Sequence, residues 1–358
     1  MTNKKEIFFG PSGNSQSFYG EGNTATLQAP AWVSARGLNA FEYSFGRGIN
    51  IHTAGAREIG AEMRRYGIEL SVHAPYFINF ASDDPEKVEK SVVYILQSLR
   101  LLGAFKGLDV GADASDKEGT DGDNTSGANA DGNKTNGVGV SVPGGCGELK
   151  TTSPLTASSI TEVENEPALS GRPGRVIFHA GSDGKMLRKE SFARALDGLR
   201  MLLSVKNDSP YKSYLLCPEA MGKSAQVGSV DEVIEMCRLD ALMYPCFDFG
   251  HINSITQGGL KTKDDFKRVI DKTAAGLDDA RVRNMHIHFS KIQYGAKGEI
   301  RHLTFADDIY GPEFLPLAEV IAEYRLTPVI ISESDGTQAE DAAAMKRIYE
   351  SVVGKIGK

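Results

Sequence analysis

Outside one long polar interruption, the chain alternates short apolar runs with longer amphipathic stretches. The short runs are EIFFGPS, AFEYSF, IELSVHAP, RVIFHAG, SYLLCPEA, YPCFDFG, NMHIHFS and PVIISES. Each is rich in β-branched and aromatic residues and closes on turn-forming residues, the pattern of a strand buried on both faces. The stretches between them repeat apolar positions three and four apart and predict helices, as in TAGAREIGAEMRRYG, DPEKVEKSVVYILQSLRLLGA and TKDDFKRVIDKTAAGL. Several carry start signals: Asp84-Pro85-Glu86 and Ser229-Val230-Asp231-Glu232 put a capping side chain ahead of acids in the first turn. Eight strands alternating with helices predict an α/β fold of the (β/α)8 barrel type, one domain spanning residues 1–358. An open doubly wound sheet is the other architecture for such a pattern. No GxGxxG follows the first strand to support it.

The interruption runs over residues 111–174. It is dominated by Gly, Asn, Asp, Ser and Thr with few large apolar residues, so it cannot bury enough surface to offset its ordering entropy. We expect a disordered insertion ahead of the fourth strand. It also changes the meaning of the net charge of -7, because the segment carries ten acidic and four basic residues and leaves the remainder near neutral. A neutral remainder is compatible with a nucleic-acid partner if basic side chains gather locally. Four cysteines, Cys146, Cys217, Cys237 and Cys246, contain no CxxC pair and are too few for a disulfide scaffold. The segment MTNKKEIFFG lacks the apolar length of a signal peptide or membrane span. A soluble, cytoplasmic monomer with no membrane association is the expectation.

Candidate chemistry gathers where the strands end. His73, His179, Glu219, Asp248 with His251, His286 with His288, His302 and Glu333 all lie at or just beyond an apolar run. A parallel barrel presents such positions at one rim. A single histidine is more often structural than a ligand, but six in equivalent settings are not explained that way. His52, at a predicted helix start, is ordinary. Imidazoles and carboxylates together suit Zn, Mn or Fe, and a cluster of ions needs a bridging carboxylate and several terminal ligands. The GPSGNS turn after the first strand is a weak phosphate-binding signal.

The segments HAPYFIN, DFGH, MHIHFS and RH, with Glu219 and Glu333 on their own strands, resemble endonuclease IV, the metal-dependent apurinic/apyrimidinic endonuclease of base-excision repair. The resemblance covers nearly the whole chain except the insertion. It implies two or three zinc ions, with Mn or Fe as substitutes. His73, His179 and Glu219 would hold the first. Glu219, Asp248, His286 and Glu333 would hold the second, with Glu219 bridging. His251 and His302 would belong to a third. The implied reaction is hydrolysis of the phosphodiester 5′ to an abasic site in double-stranded DNA, with Glu219 and Glu333 as the catalytic carboxylates and Tyr76 and Asn79 meeting the DNA. Two departures stand out. The family has an aspartate two residues before the histidine matching His302, and here that position is Ile300, with Glu299 adjacent. His288, two residues after His286, faces the same side of a strand and could replace it or support it; Met285 and Ser290-Lys291 match the family around His286. A sugar or sugar-phosphate isomerase of the xylose-isomerase-like group is the alternative, using Glu219, Asp248, His286 and Glu333 around one metal. A barrel that only binds damaged DNA or a partner is a third reading, which a ligand set with room for water disfavours.

Overall fold

A computed structural model describes residues 7–110 and 172–356. Ten strands form: β1 (Phe8–Pro11), β2 (Ala40–Ser44), β3 (Glu69–His73), β4 (Arg175–Phe178), β5 (Leu215–Pro218), β6 (Cys246–Asp248), β7 (His286–Phe289), β8 (Lys291–Gly295), β9 (Gly298–Leu303) and β10 (Val329–Ser332). Parallel ladders run β6-β7-β10-β1 and β2-β3-β4-β5. Parallel bridges Ser12–Glu42 and Glu219–Cys246 join the two ladders at both edges, so the eight parallel strands close into a ring. These are the eight runs read from the sequence. The extra pair, β8 and β9, is an antiparallel hairpin inserted after β7.

Eleven helices surround or flank the ring among the described residues: α1 (Gln16–Gly20), α2 (Ala29–Ala35), α3 (Thr53–Arg65), α4 (Pro85–Phe105), α5 (Arg188–Asn207), α6 (Val230–Cys237), α7 (Phe249–Ile255), α8 (Lys263–Gly276), α9 (Asp279–Arg283), α10 (Phe314–Glu323) and α11 (Gln338–Ile356). The expected caps are present. The Asp84 side chain accepts from Glu86 N, and Ser229 with Glu232 forms a reciprocal capping box at α6. No described helix is long and apolar enough to cross a membrane.

The main apolar core lies between the barrel and the helices and takes in Phe9, Phe41, Leu70, Val176, Leu216, Phe247, Ile287 and Ile330 from the strands. These residues alternate with the inward-facing ones. Two small apolar clusters sit apart from it, one of Phe8, Ala40, Val329 and Ile331, the other of Ile177, Leu215, Cys217 and Cys246. Strand register puts both on the inward positions, where polar groups separate them.

The insertion expected at 111–174 precedes β4. Residues 111–171 lie outside the described residues, and the boundary moves at its end: the Arg172 guanidinium donates to Thr327 O and covers the Phe8 ring, and Gly174 O accepts from Leu215 N. At the other end, the Arg100 guanidinium reaches Val110 O, and Arg57 pairs with Asp109. Both ends therefore leave the body where α4 stops and β4 begins, at the amino-terminal face of the barrel.

Helix packing makes one glycine indispensable. A Cβ at Gly60 on α3 would stand 1.8 Å from the Phe105 carbonyl oxygen at the end of α4, a backbone atom that cannot swing away. Gly60→Ala is expected to destabilise the fold by about 1–3 kcal/mol in chemical denaturation. Gly354→Ala, whose Cβ meets nothing within 4 Å, is expected to be neutral or mildly stabilising.

Candidate metal centre

Strand register sets the height of each inward side chain. His73 is the last residue of β3 and Asp248 the last of β6, and His179, Glu219 and Glu333 each follow the last residue of their strands. His288 is level with Asp248 in the ladder. All therefore converge at the carboxyl-terminal mouth.

Glu219, 1% exposed, is the hub. Its Oε2 lies 3.0 Å from His73 Nε2 and 3.1 Å from His179 Nε2. Its Oε1 lies 3.1 Å from His288 Nδ1 and 3.4 Å from His251 Nδ1. Glu333 Oε2 is 3.6 Å from His288 Nδ1. At the mouth, three sets of ligand atoms fall within cation-sharing distance: His73, His179 and Glu219; Glu219, Asp248, His288 and Glu333; and His251, Glu299 and His302.

The donor set fits metal ions. His73 Nδ1 meets Ala74 O at 2.8 Å and His251 Nδ1 meets Ala220 O at 3.0 Å, so each ring turns Nε2 inward, the nitrogen that would give up its proton to an ion. His302 Nδ1 is held by Ser290 Oγ at 2.9 Å in the same way. Asp248 does two jobs: Oδ1 accepts from His251 N and caps α7, while the buried Oδ2 has no hydrogen-bond partner. It lies 3.4 Å from His251 Nδ1 without hydrogen-bond alignment, and a buried carboxylate oxygen so placed beside Glu219 and Glu333 suits a cation.

Electrostatics separate groups of like type. Burial would raise the Glu219 carboxyl, but the surrounding imidazoles hold it well below the usual carboxylate range. Glu333 goes the other way, raised by burial and by the Glu219 charge. Burial keeps His179 below its ordinary value and so neutral, against the pull of Glu219. His251 is buried too, yet Asp248, Glu219 and Glu299 push it up to about 10. Tyr76, half exposed, stacks on His179 with centroids 5.6 Å apart and holds its hydroxyl 3.1 Å from Ser44 Oγ. Burial and the Glu333 charge push its phenol up to about 12, so it stays protonated.

Three expectations need correction. His288, not His286, joins Glu219, Asp248 and Glu333. Two residues along a strand keep the same face but lie one layer, roughly 6–7 Å, deeper; His286 is there, 3.0 Å from Glu42 Oε2 and fully buried. Asn79 has its amide oxygen engaged within the protein. Its Oδ1 accepts from Ala81 N and Ser182 N and ties two loops together. His302 lies on the β8-β9 hairpin rather than on a barrel strand.

The hairpin also resolves the Ile300 departure. Residues 299 and 302 are an odd number apart and would face opposite sides of a regular strand. The ladder pairs Gln293 with Arg301 and Tyr294 with Glu299, which leaves Ile300 as the extra residue of a β-bulge. The bulge turns Glu299 to the side of His302: its oxygens lie 3.5 Å from His251 Nε2 and 3.8 Å from His302 Nε2, while Ile300 is 58% exposed. Glycine makes the approach feasible. Gly298, at φ 97°, passes so close that a Cβ would stand 2.0 Å from Gly222 O, and Glu299 N donates to that same oxygen.

Sequence reasoning missed Glu42, which lies beneath the cluster with its oxygens 3.0 Å from His286 and His288 nitrogens. A carboxylate inside the apolar run AFEYSF was the available signal. The neighbouring Ser71, which donates to Glu42, carried none.

Residues 30–110 match the model of the xylose isomerase-like TIM barrel family. The uncharacterized protein MJ0133 of Methanocaldococcus jannaschii is 22% identical over 311 residues, covering 86% of each chain. A probable endonuclease 4 of Staphylococcus carnosus is 28% identical over 142 residues, 38% of this chain and 44% of that protein. Among solved structures, a putative xylose isomerase from Rhodospirillum rubrum aligns with a TM-score of 0.56 at 12% identity, covering 96% of this chain and 99% of the other. The chain has the xylose isomerase-like TIM-barrel fold, with a weak sequence relationship to endonuclease 4.

A divalent cation titrated into the protein in a calorimeter is expected to bind the His251, Glu299 and His302 set, and Glu299→Gln to weaken that binding by at least about tenfold, since even outer-shell changes cost 10–100-fold. Ile300→Asp in that background is expected to restore nothing, because position 300 faces solvent.

Proposed function

We propose that the chain is a zinc-dependent phosphodiesterase that cuts double-stranded DNA on the 5′ side of abasic sites. The observation that carries this reading is the division of Glu219, whose Oε2 meets His73 and His179 while its Oε1 meets His288. A carboxylate with each oxygen in a different ligand set would be held between two cations, and His251, Glu299 and His302 would hold a third. When bound, zinc supplies Lewis-acid polarisation of the phosphoryl oxygens and positive charge for the leaving oxygen.

The chain's own groups supply the rest. Water adds across the bond between phosphorus and the 3′ oxygen, giving a 3′ hydroxyl and a 5′ phosphate. Glu333, with its carboxyl raised above the ordinary range by burial and by the Glu219 charge, faces the same cluster and takes the water's proton. Tyr76 offers a half-exposed, protonated ring above His179, a surface on which an unpaired sugar or flanking base can stack. Arg47, Lys185, Lys223 and Lys297 on loops and Arg301 on β9 are exposed around the mouth, where phosphates of a bound duplex would lie. The acidic excess sits instead in residues 111–174.

A second reading, isomerisation or epimerisation of a sugar, is favoured by the set Glu219, Asp248, His288 and Glu333, which could hold one cation between two proton-moving glutamates. It leaves His73 and His179 without a task.

The zinc-loaded protein is expected to nick a duplex carrying one tetrahydrofuran abasic analogue and to leave a 3′ hydroxyl. Glu219→Gln should lower the rate by at least about 100-fold, more than the outer-shell effects known for metal sites. Tyr76→Ala should raise KM while zinc content is unchanged. An uncut duplex, together with conversion of a ketose or sugar phosphate, would mean the isomerase reading is right.

A further inference from the structure

Beneath the mouth, the barrel interior holds a second group of ligating atoms that phosphodiester cleavage does not use. Glu42 Oε1 lies 3.0 Å from His288 Nε2, and Glu42 Oε2 lies 3.0 Å from His286 Nε2. Cys246, His286 and His288 each bring one ligand atom within 4.8 Å of the other two. Glu42, Cys246, His286 and His288 are all 0% exposed. They come from three strands, β2, β6 and β7.

Their directions matter as much as their distances. At the mouth, His73 Nε2 forms an aligned hydrogen bond to Glu219 at 3.0 Å. At the same separation, the contacts of His286 Nε2 and His288 Nε2 with Glu42 are less well aligned, and His286 Nδ1 has no hydrogen-bond partner. Ring nitrogens and carboxylate oxygens in contact but poorly aligned for proton sharing are arranged as ligands of a common ion are. Bonds of about 2.0–2.3 Å hold the ligands of a tetrahedral zinc roughly 3–4 Å apart.

We propose that Glu42, Cys246, His286 and His288 bind a closed, four-coordinate zinc ion inside the barrel, separate from the ions of the mouth. Four protein ligands leave no position for water, so the site is structural. Binding releases the Cys246 thiol proton and the protons on the ring nitrogens that turn to the ion, all to solvent. With the mouth also loaded, His288 would ligate through both nitrogens and give up its last ring proton to solvent as well. Ser71, which donates to Glu42 Oε2 at 2.9 Å, orients the carboxylate. His288 is shared: Nε2 serves the interior ion, and Nδ1 faces Glu219 and Glu333 at the mouth. The interior ion thereby fixes the ring that the mouth depends on, whichever reaction the mouth performs.

The mouth contains no cysteine, which gives the test its selectivity. The full chain loaded with cobalt(II) is expected to show sulfur-to-cobalt charge-transfer absorption in the near ultraviolet. Cys246→Ser should abolish that band and lower the bound metal by one ion, whereas His179→Ala should retain it even where strand cleavage is lost. Because Cys246→Ser could fail to fold, zinc-edge X-ray absorption of the unaltered protein provides a second measurement, with a Zn–S distance of about 2.3 Å expected. Absence of both the band and the sulfur shell in metal-replete protein, or survival of the band in Cys246→Ser, overturns the interior site. Loss of strand cleavage alone leaves it standing.

Discussion

A carboxylate with no access to water has to be neutralised from within the protein, and Glu219 sets this requirement for the whole mouth. Leaving a charge of that kind unpaired costs several kcal/mol. Four imidazoles from β3, the end of β4, α7 and β7 answer it at 3.0–3.4 Å. Asp248, Glu299 and Glu333 then add negative charge that these imidazoles cannot also neutralise, and the excess is what makes cations the natural occupants. The Ala74 carbonyl fixes the other nitrogen of His73, the Ala220 carbonyl holds His251 Nδ1, and the Ser290 hydroxyl holds the neighbouring His302.

This demand shapes the barrel interior. A row of polar side chains, Glu42, Ser71, His286 and His288, runs where apolar residues would otherwise meet, and the interior core is split into two clusters of four residues each. Stability comes instead from the continuous core between strands and helices. Outward positions of each strand hold the fold together and inward positions carry the chemistry. A substitution on one face of a strand should therefore disturb one of these functions with little effect on the other.

The eight strands were legible because each is a short apolar run bounded by turn residues. The ligands were legible because imidazole and carboxylate at strand ends are unusual in such runs. What could not be read was depth. His286 and His288 share a face, and only pairing with Asp248 on the neighbouring strand tells which reaches the mouth. The bulge at Ile300 was equally silent, since one unpaired residue in a hairpin has no compositional mark and reverses the facing of everything before it. Asn79 has the residue type of a ligand contact, but its amide oxygen is spent on two loop backbones. The helices α1, α2, α7 and α9 are only five to seven residues long, too short to show an apolar period.

The position of residues 111–171 separates two kinds of change. Their anchors, Val110 beside the end of α4 and Arg172 against Phe8 and Thr327, lie on the floor of the barrel, and the ligands open on its roof. A substitution at either described anchor therefore acts on the far side of eight hydrogen-bonded strands from the clustered imidazoles and carboxylates, and the junction can change while the mouth stays constant.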